Sequence, residues 1–132
     1  MSTFVDTSAL LAVVNAEDDN HTRAAKTWRS LVESSEPLVC TSYTLVELFA
    51  LVQHRFGLPI VRTLEEDVVP LLGVVWVDAP LHAEGMSALL AAARRRLSLV
   101  DCVSFACMRR LGITRAFHFD PHFREQGFAA AR

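Results

Sequence analysis

The chain has 132 residues, enough for one core of ordinary size but not two, so residues 1–132 read as a single domain. Hydrophobic residues make up 52% and charged residues 21%, with 5 Gly and 5 Pro, which excludes a disordered, collagenous or linker-like chain. The net charge is −2, and every basic residue except Lys26 is arginine, a skew that genome composition explains more simply than an arginine-built phosphate surface. The longest near-continuous apolar run, Val68 to Val77, is broken by Pro70 and Gly73 and falls short of the roughly 20 residues of a membrane helix. Met1 to Asp6 shows no basic segment followed by a long apolar one, so the expected location is the cytoplasm, with no membrane partner. Cys40, Cys102 and Cys107 lie in apolar segments without Cys-x-x-Cys spacing and read as reduced core thiols.

Thr3 to Val5 is a short β-prone run that meets Asp6-Thr7-Ser8, and Ala9, Leu10, Leu11, Val13 and Val14 predict a buried helix behind it. Asn20 to Ser35 is an amphipathic helix, with Ala24, Ala25, Trp28, Leu31 and Val32 spaced at three and four residues. Leu38 to Thr41 reads as a second strand, followed by a helix from Tyr43 to Phe56 that Gly57 ends. A further helix is expected over Pro59 to Leu72, a strand over Val74 to Val77, and a helix over Pro80 to Arg96 whose three terminal arginines complement its dipole. Val100 to Leu111 reads as a helix, Arg115 to Phe119 as a fourth strand, Asp120-Pro121 as the opening of a short turn, and Gly127 to Ala130 as a final short strand. Short apolar strands alternating with helices define an α/β fold with a mainly parallel central sheet covered on both faces. The helices from Tyr43 to Leu72 carry more apolar positions than one sheet face needs, including Phe49, Phe56, Leu58, Ile60, Val61 and Leu64, so a second copy or a partner peptide is expected to cover part of them.

In such sheets function collects beyond the carboxyl ends of the strands. Four acids fall there: Asp6 after the first strand, Glu47 in the helix after the second, Asp101 at the start of the helix before the fourth, and Asp120 after the fourth. Each has an ordinary explanation. Asp6 and Asp120 can be N-caps, the latter with Pro121 at the first helical position, while Thr44-x-x-Glu47 and Ser98-x-x-Asp101 match capping boxes. The surroundings weigh against caps alone. Glu47 and Asp101 lie in helices apolar on nearly all sides, where an unpaired carboxylate is costly, and no lysine or arginine stands at a pairing distance along either helix. Converging carboxylates about 4 Å apart repel by roughly 4 kcal/mol per pair at an effective dielectric near 20, so a cation must sit among them. An all-carboxylate set selects Mg2+ or Mn2+ over zinc. The string His118-x-Asp120-x-His122 is not read as a metal site, because side chains on a strand ending at Pro121 need not share a face. An open acidic Mg2+ site implies phosphoryl chemistry, and setting the four acids aside turns the net charge from −2 to +2, so a polyanion can approach.

Four segments carry a family resemblance: Phe4-Val5-Asp6-Thr7-Ser8-Ala9-Leu10-Leu11, Thr44-Leu45-Val46-Glu47, Leu97-Ser98-Leu99-Val100-Asp101-Cys102-Val103-Ser104-Phe105, and Phe119-Asp120-Pro121-His122-Phe123. In this order, over essentially the whole chain, they resemble the PIN domain family and most of all its VapC-type ribonuclease toxins of type II toxin-antitoxin systems. The resemblance implies a three-layer α/β/α fold and an RNA-cutting enzyme using Mg2+ or Mn2+. It also implies a homodimer and a cognate antitoxin protein that holds the enzyme inactive. It further implies that Asp6 and Asp101 are direct metal ligands, Glu47 a second acid, Asp120 a more variable fourth, and Ser8 a small hydroxyl residue near the metal. The products implied are a 5′-phosphate and a 3′-hydroxyl. His118 departs from the small or hydroxyl residue many relatives carry two places before the fourth acid.

The rival readings have less support. A receiver domain and a haloacid-dehalogenase-like phosphatase both need a late lysine, yet the one lysine is Lys26, and Ser8 stands where the phosphatase needs a second Asp. A non-catalytic binding module fits a chain that has lost an acid, whereas all four are present. A PIN nuclease that processes cellular RNA without an antitoxin stays open.

Overall fold

A computed structural model of the chain describes residues 1–131. The elements run β1 (Thr3–Val5), α1 (Thr7–Val14), α2 (His21–Ser34), β2 (Leu38–Thr41), α3 (Ser42–Phe56), α4 (Leu58–Thr63), β3 (Gly73–Val75), α5 (Ala79–Ala92), α6 (Leu99–Leu111), β4 (Arg115–Phe117), α7 (Pro121–Glu125) and β5 (Ala129–Ala130). The strands form one sheet in the order β3-β2-β1-β4-β5, and every pairing is parallel. Alternation along each strand divides the core into two layers, as parallel sheets covered on both faces require. Phe4 and Ala116 pack with α5, α6 and Phe123, while Val5 and Phe117 pack with α1, α2 and α3 through Leu10, Leu31 and Leu48. This is the α/β/α arrangement expected. All three cysteines are free and buried, and no helix is long and apolar enough to cross a membrane.

Four expectations are corrected. The helix expected from Pro59 to Leu72 is α4, a π turn (Leu64–Val68) and a 3-10 turn (Val69–Leu71), because Pro70 cannot supply the backbone donor that would continue an α-helix. The helix expected to reach Arg96 stops at Ala92. Ala93 adopts a left-handed conformation (φ 51°), so Arg94 to Arg96 lie beyond the last turn and Arg94 pairs with Glu125 at 2.8 Å. The third strand ends at Val75, since the Val77 N–H is taken by Ser42 Oγ at 2.9 Å and Trp76 turns outward. The fourth ends at Phe117, since the Phe119 N–H goes to Ser8 Oγ at 2.9 Å. The apolar surplus between Tyr43 and Leu72 is also smaller than expected. Leu64 is fully buried, and Phe49, Phe56, Ile60 and Val61 pack against the core, which leaves Leu58, Leu71 and, on α3, Val46 exposed.

Candidate active site

From β1 the chain winds outward through β2 to β3, then returns to lay β4 and β5 on the other side of β1. The winding direction therefore reverses between β1 and β4, and at such a switch point a crevice opens beyond the carboxyl ends of the two strands. Asp6 follows β1 and Asp120 follows β4. Their capping geometry is real: Asp6 Oδ2 accepts the Ser8 N–H at 3.1 Å, and Asp120 Oδ1 accepts the His122 N–H at 2.9 Å, with Pro121 in the first turn. Asp101 closes a capping box with Ser98 through bonds of 3.0 and 3.1 Å. Glu47 has no such duty. The N-cap of α3 is Thr41, whose hydroxyl accepts the Thr44 N–H at 3.2 Å, so the capping box expected from Thr44 and Glu47 does not form. Glu47 is also less enclosed than expected, because the outer side of α3 faces solvent and Val46 is 68% exposed.

Capping leaves the electrostatic problem unsolved. Burial pushes the Asp6 carboxyl up to about 7, against the hydrogen bonds from Ser8 and with the charges of Asp101 and Asp120 adding to the rise. Asp101 is raised by burial, opposed by its bonds to Ser98 and raised again by Asp120. Glu47 is raised by burial, held back by Thr7, and raised further by Asp101 and Asp120. These mutual effects place all four carboxylates in one field. Among the described residues no lysine or arginine pairs with any of them.

Ser8 links two of the acids. Its hydroxyl donates to Asp6 Oδ2 at 2.6 Å and accepts the Phe119 N–H, which ties the residue before Asp120 to the end of β1. His122 is the member that sequence reasoning set aside. Its Nδ1 lies 2.8 Å from Asp120 Oδ1, out of line for a hydrogen bond, and 3.9 Å from Asp101 Oδ2. One donor atom each from Asp101, Asp120 and His122 falls within 4.8 Å of the others, a grouping able to hold a metal ion. Pro121 starts a helical turn, as the sequence predicts, and that turn brings the residue two past Asp120 back beside it, although side chains flanking the end of a strand need not share a face. His118 goes elsewhere. It stacks on Phe123 at 4.9 Å, with both ring nitrogens covered and unpartnered, and burial lowers its pKa.

A doubly wound parallel sheet with carboxylates pooled at its switch point suits a hard divalent ion, for which oxygen donors are preferred and an added imidazole is tolerated. The chain belongs to the PIN domain family, whose match spans residues 3–129. It is 35% identical over 131 residues to the 23S rRNA-specific endonuclease VapC20 of Mycobacterium tuberculosis, covering 98% of this chain and 97% of that protein. The crystal structure of M. tuberculosis VapC20, described as a sarcin-ricin loop cleaving toxin, superposes with a TM-score of 0.83 at 32% identity and covers 96% of each chain. FitAcB from Neisseria gonorrhoeae shares the fold at 17% identity, with a TM-score of 0.71 over 100% of this chain and 97% of that one.

Proposed function

We propose that the chain is a Mg2+- or Mn2+-dependent endoribonuclease that hydrolyses RNA phosphodiester bonds in the cytoplasm as the toxin of a toxin-antitoxin pair. The observation that carries this reading is the pooling of Asp6, Glu47, Asp101 and Asp120 at the switch point without a lysine or arginine partner among the described residues. Asp6 and Asp101 hold the ion directly, with Glu47 and Asp120 completing or extending its shell. When bound, the ion polarises a phosphate oxygen and lowers the pKa of a water molecule. Ser8 acts through Asp6, whose carboxylate it orients. Glu47 is half-buried with a raised pKa, which suits it to orient the attacking water and accept its proton. In-line attack on phosphorus breaks the bond to the 3′ oxygen, leaving a 5′-phosphate and a 3′-hydroxyl. The reading includes a cognate antitoxin and a homodimer, for which Val46 on α3 and Leu58 on α4 are among the apolar side chains left uncovered.

The name of the 35% identical relative supports ribosomal RNA as the first substrate to examine. The test is expression of this chain alone, beside its Asp6→Asn variant, with mapping of the 5′ ends of cellular RNA. New 5′-phosphate ends seen only with the unsubstituted chain, and lost in purified reactions when EDTA removes the metal, are the expected result. Identical end maps for the two chains would overturn the reading.

A further inference from the structure

Beside Asp120 the surface opens into a trough of about 930 Å3 between α2 and the β4-α7-β5 edge, lined among others by Arg23, Lys26, Phe119, Asp120 and Arg124. This volume lies near the upper end of the roughly 300–1,000 Å3 of sites that enclose a small molecule, and is roomy enough for a nucleotide or more of a strand. Three cations line it together. Arg94, Arg110 and Arg115 each have a carboxylate within 2.8 Å, whereas among the described residues Arg23, Lys26 and Arg124 have none; Arg29, Arg55, Arg95, Arg96 and Arg109 have none either but lie outside the trough, so what sets the trough apart is three such cations on one concave surface. The Arg23 guanidinium carbon sits 5.3 Å from the centre of the Phe119 ring, and one of its N–H groups reaches Asn20 Oδ1 at 3.2 Å. This cation-π contact fixes the guanidinium without neutralising it. The trough thus joins three unneutralised cations and a half-buried aromatic ring to one of the proposed metal-holding acids.

We infer that this trough binds the single-stranded RNA segment flanking the scissile phosphate, with Arg23, Lys26 and Arg124 on its phosphates and Phe119 with Arg23 as a platform for one base. The inference rests on the ribonuclease reading above and deepens it. Phosphates spaced along a strand need cations outside the acidic centre, where the protein's own charge would repel them. Flat groups on which a base can stack favour an unpaired strand over a duplex, whose bases are already stacked. An acidic peptide would use the cations but has no need of the stacking platform.

The experiment uses fluorescence anisotropy with a labelled single-stranded RNA 12-mer of mixed sequence, in EDTA so that nothing is cleaved. It compares the unsubstituted chain, Arg23→Ala/Lys26→Ala, Arg124→Ala, and Arg29→Ala as a control on α2 outside the trough. Each trough variant should bind about tenfold or more weakly, the loss of a charge-assisted contact, and the slope of log affinity against log salt should flatten by about 0.7 per charge removed. In Mg2+ the KM for the same RNA should rise in step, with melting temperatures held within a degree or two to show that the variants fold. Arg29→Ala should match the unsubstituted chain. Equal binding by all four proteins, or equal weakening in Arg29→Ala, would overturn the inference, as would undetectable RNA binding at low salt by the unsubstituted chain. Because binding is read without cleavage, these outcomes are separate from failure of the ribonuclease reading, which shows as intact RNA in Mg2+.

Discussion

At the amino edge of the sheet, Glu36 before β2 accepts two bonds of 2.6 and 2.7 Å from the Arg115 guanidinium at the start of β4, and Thr3 at the start of β1 bonds to both partners. At the carboxyl edge of the same three strands, Asp6, Glu47, Asp101 and Asp120 share one field with no arginine or lysine partner among the described residues. The chain is thus able to neutralise a half-buried carboxylate with a close guanidinium, whose Nη2 reaches both carboxylate oxygens, and does so away from the crevice. The unneutralised cluster at the other end is frustration of the kind that marks a site completed by a ligand, since perturbed carboxyl groups in a crevice gather where chemistry is done.

The largest expected effect comes from removing charge at the carboxyl edge. Asp6→Asn or Asp101→Asn should lower RNA cleavage by at least about 10²–10³-fold, the scale of losing one charge-stabilising group. Asparagine keeps an oxygen able to cap the helix, so metal-free stability should hold or rise as repulsion is relieved. Cleavage assays and thermal melts on the same samples check both halves; wild-type cleavage by either variant would remove it from the site.

Titration should separate the two edges next. Asp6 holds its proton up to about 7 in the folded chain, against 3.8 for an unperturbed aspartate. Between these values the fold retains a proton that the unfolded chain has released. The stabilisation is therefore complete below about pH 4 and is lost as pH rises through about 7, by up to about 4 kcal/mol. Melts of metal-free protein should show this decline, Asp6→Asn should flatten it, and Mg2+ should restore stability at the high end. A metal-free protein equally stable at pH 5 and pH 8 would contradict the burial of Asp6.

The amino edge should answer in the opposite sense. Arg115→Ala leaves Glu36 facing Thr3 without its cation and should cost about 2 kcal/mol, between the roughly 0–1 of an exposed pair and the 3–5 of a fully buried one. Cleavage per folded molecule should stay unchanged. A matching loss of cleavage would show that the two edges are coupled through the strands.

What was legible in the chain follows this contrast. The carboxyl edge could be read because each acid sits at the end of a recognisable strand or the start of a helix, so its neighbours in sequence announce its place. The Glu36-Arg115 pair could not, because its partners are 79 residues apart and meet only through the sheet order. Residues 3–5 and 38–41 were located closely because short apolar runs between turn signals leave little choice. The end of α5 was missed because Ala93, a good helix former, takes a left-handed turn that lets Leu97 bury and Ser98 cap α6. His122 is not legible for a different reason: the turn opened by Pro121 is predicted, but the direction in which that turn aims the imidazole, beside Asp120 and away from His118, is set by packing and not by spacing.

The smallest effect tests what holds the acidic edge in position. Gly85 in α5 packs directly on α6, the helix that carries Asp101; a Cβ there would lie 2.4 Å from Val103 Cγ2 and 3.3 Å from the Val103 backbone. Val103 is fully buried and stiff at its branched Cβ, so it cannot swing aside, and the helices must part instead. Gly85→Ala gains roughly 1 kcal/mol of helix propensity but meets an overpacking cost of about 1–3 kcal/mol, so the net destabilisation should be about 1 kcal/mol. Its effect on cleavage should nevertheless exceed that of Arg115→Ala, because parting α5 from α6 moves Asp101 relative to Asp6, and displacements near 1 Å are costly to catalysis. A melt and a cleavage assay on both variants decide the matter. If Gly85→Ala raised the melting temperature and left cleavage intact, the depth at which α6 sits would not be what sets the geometry of the acids.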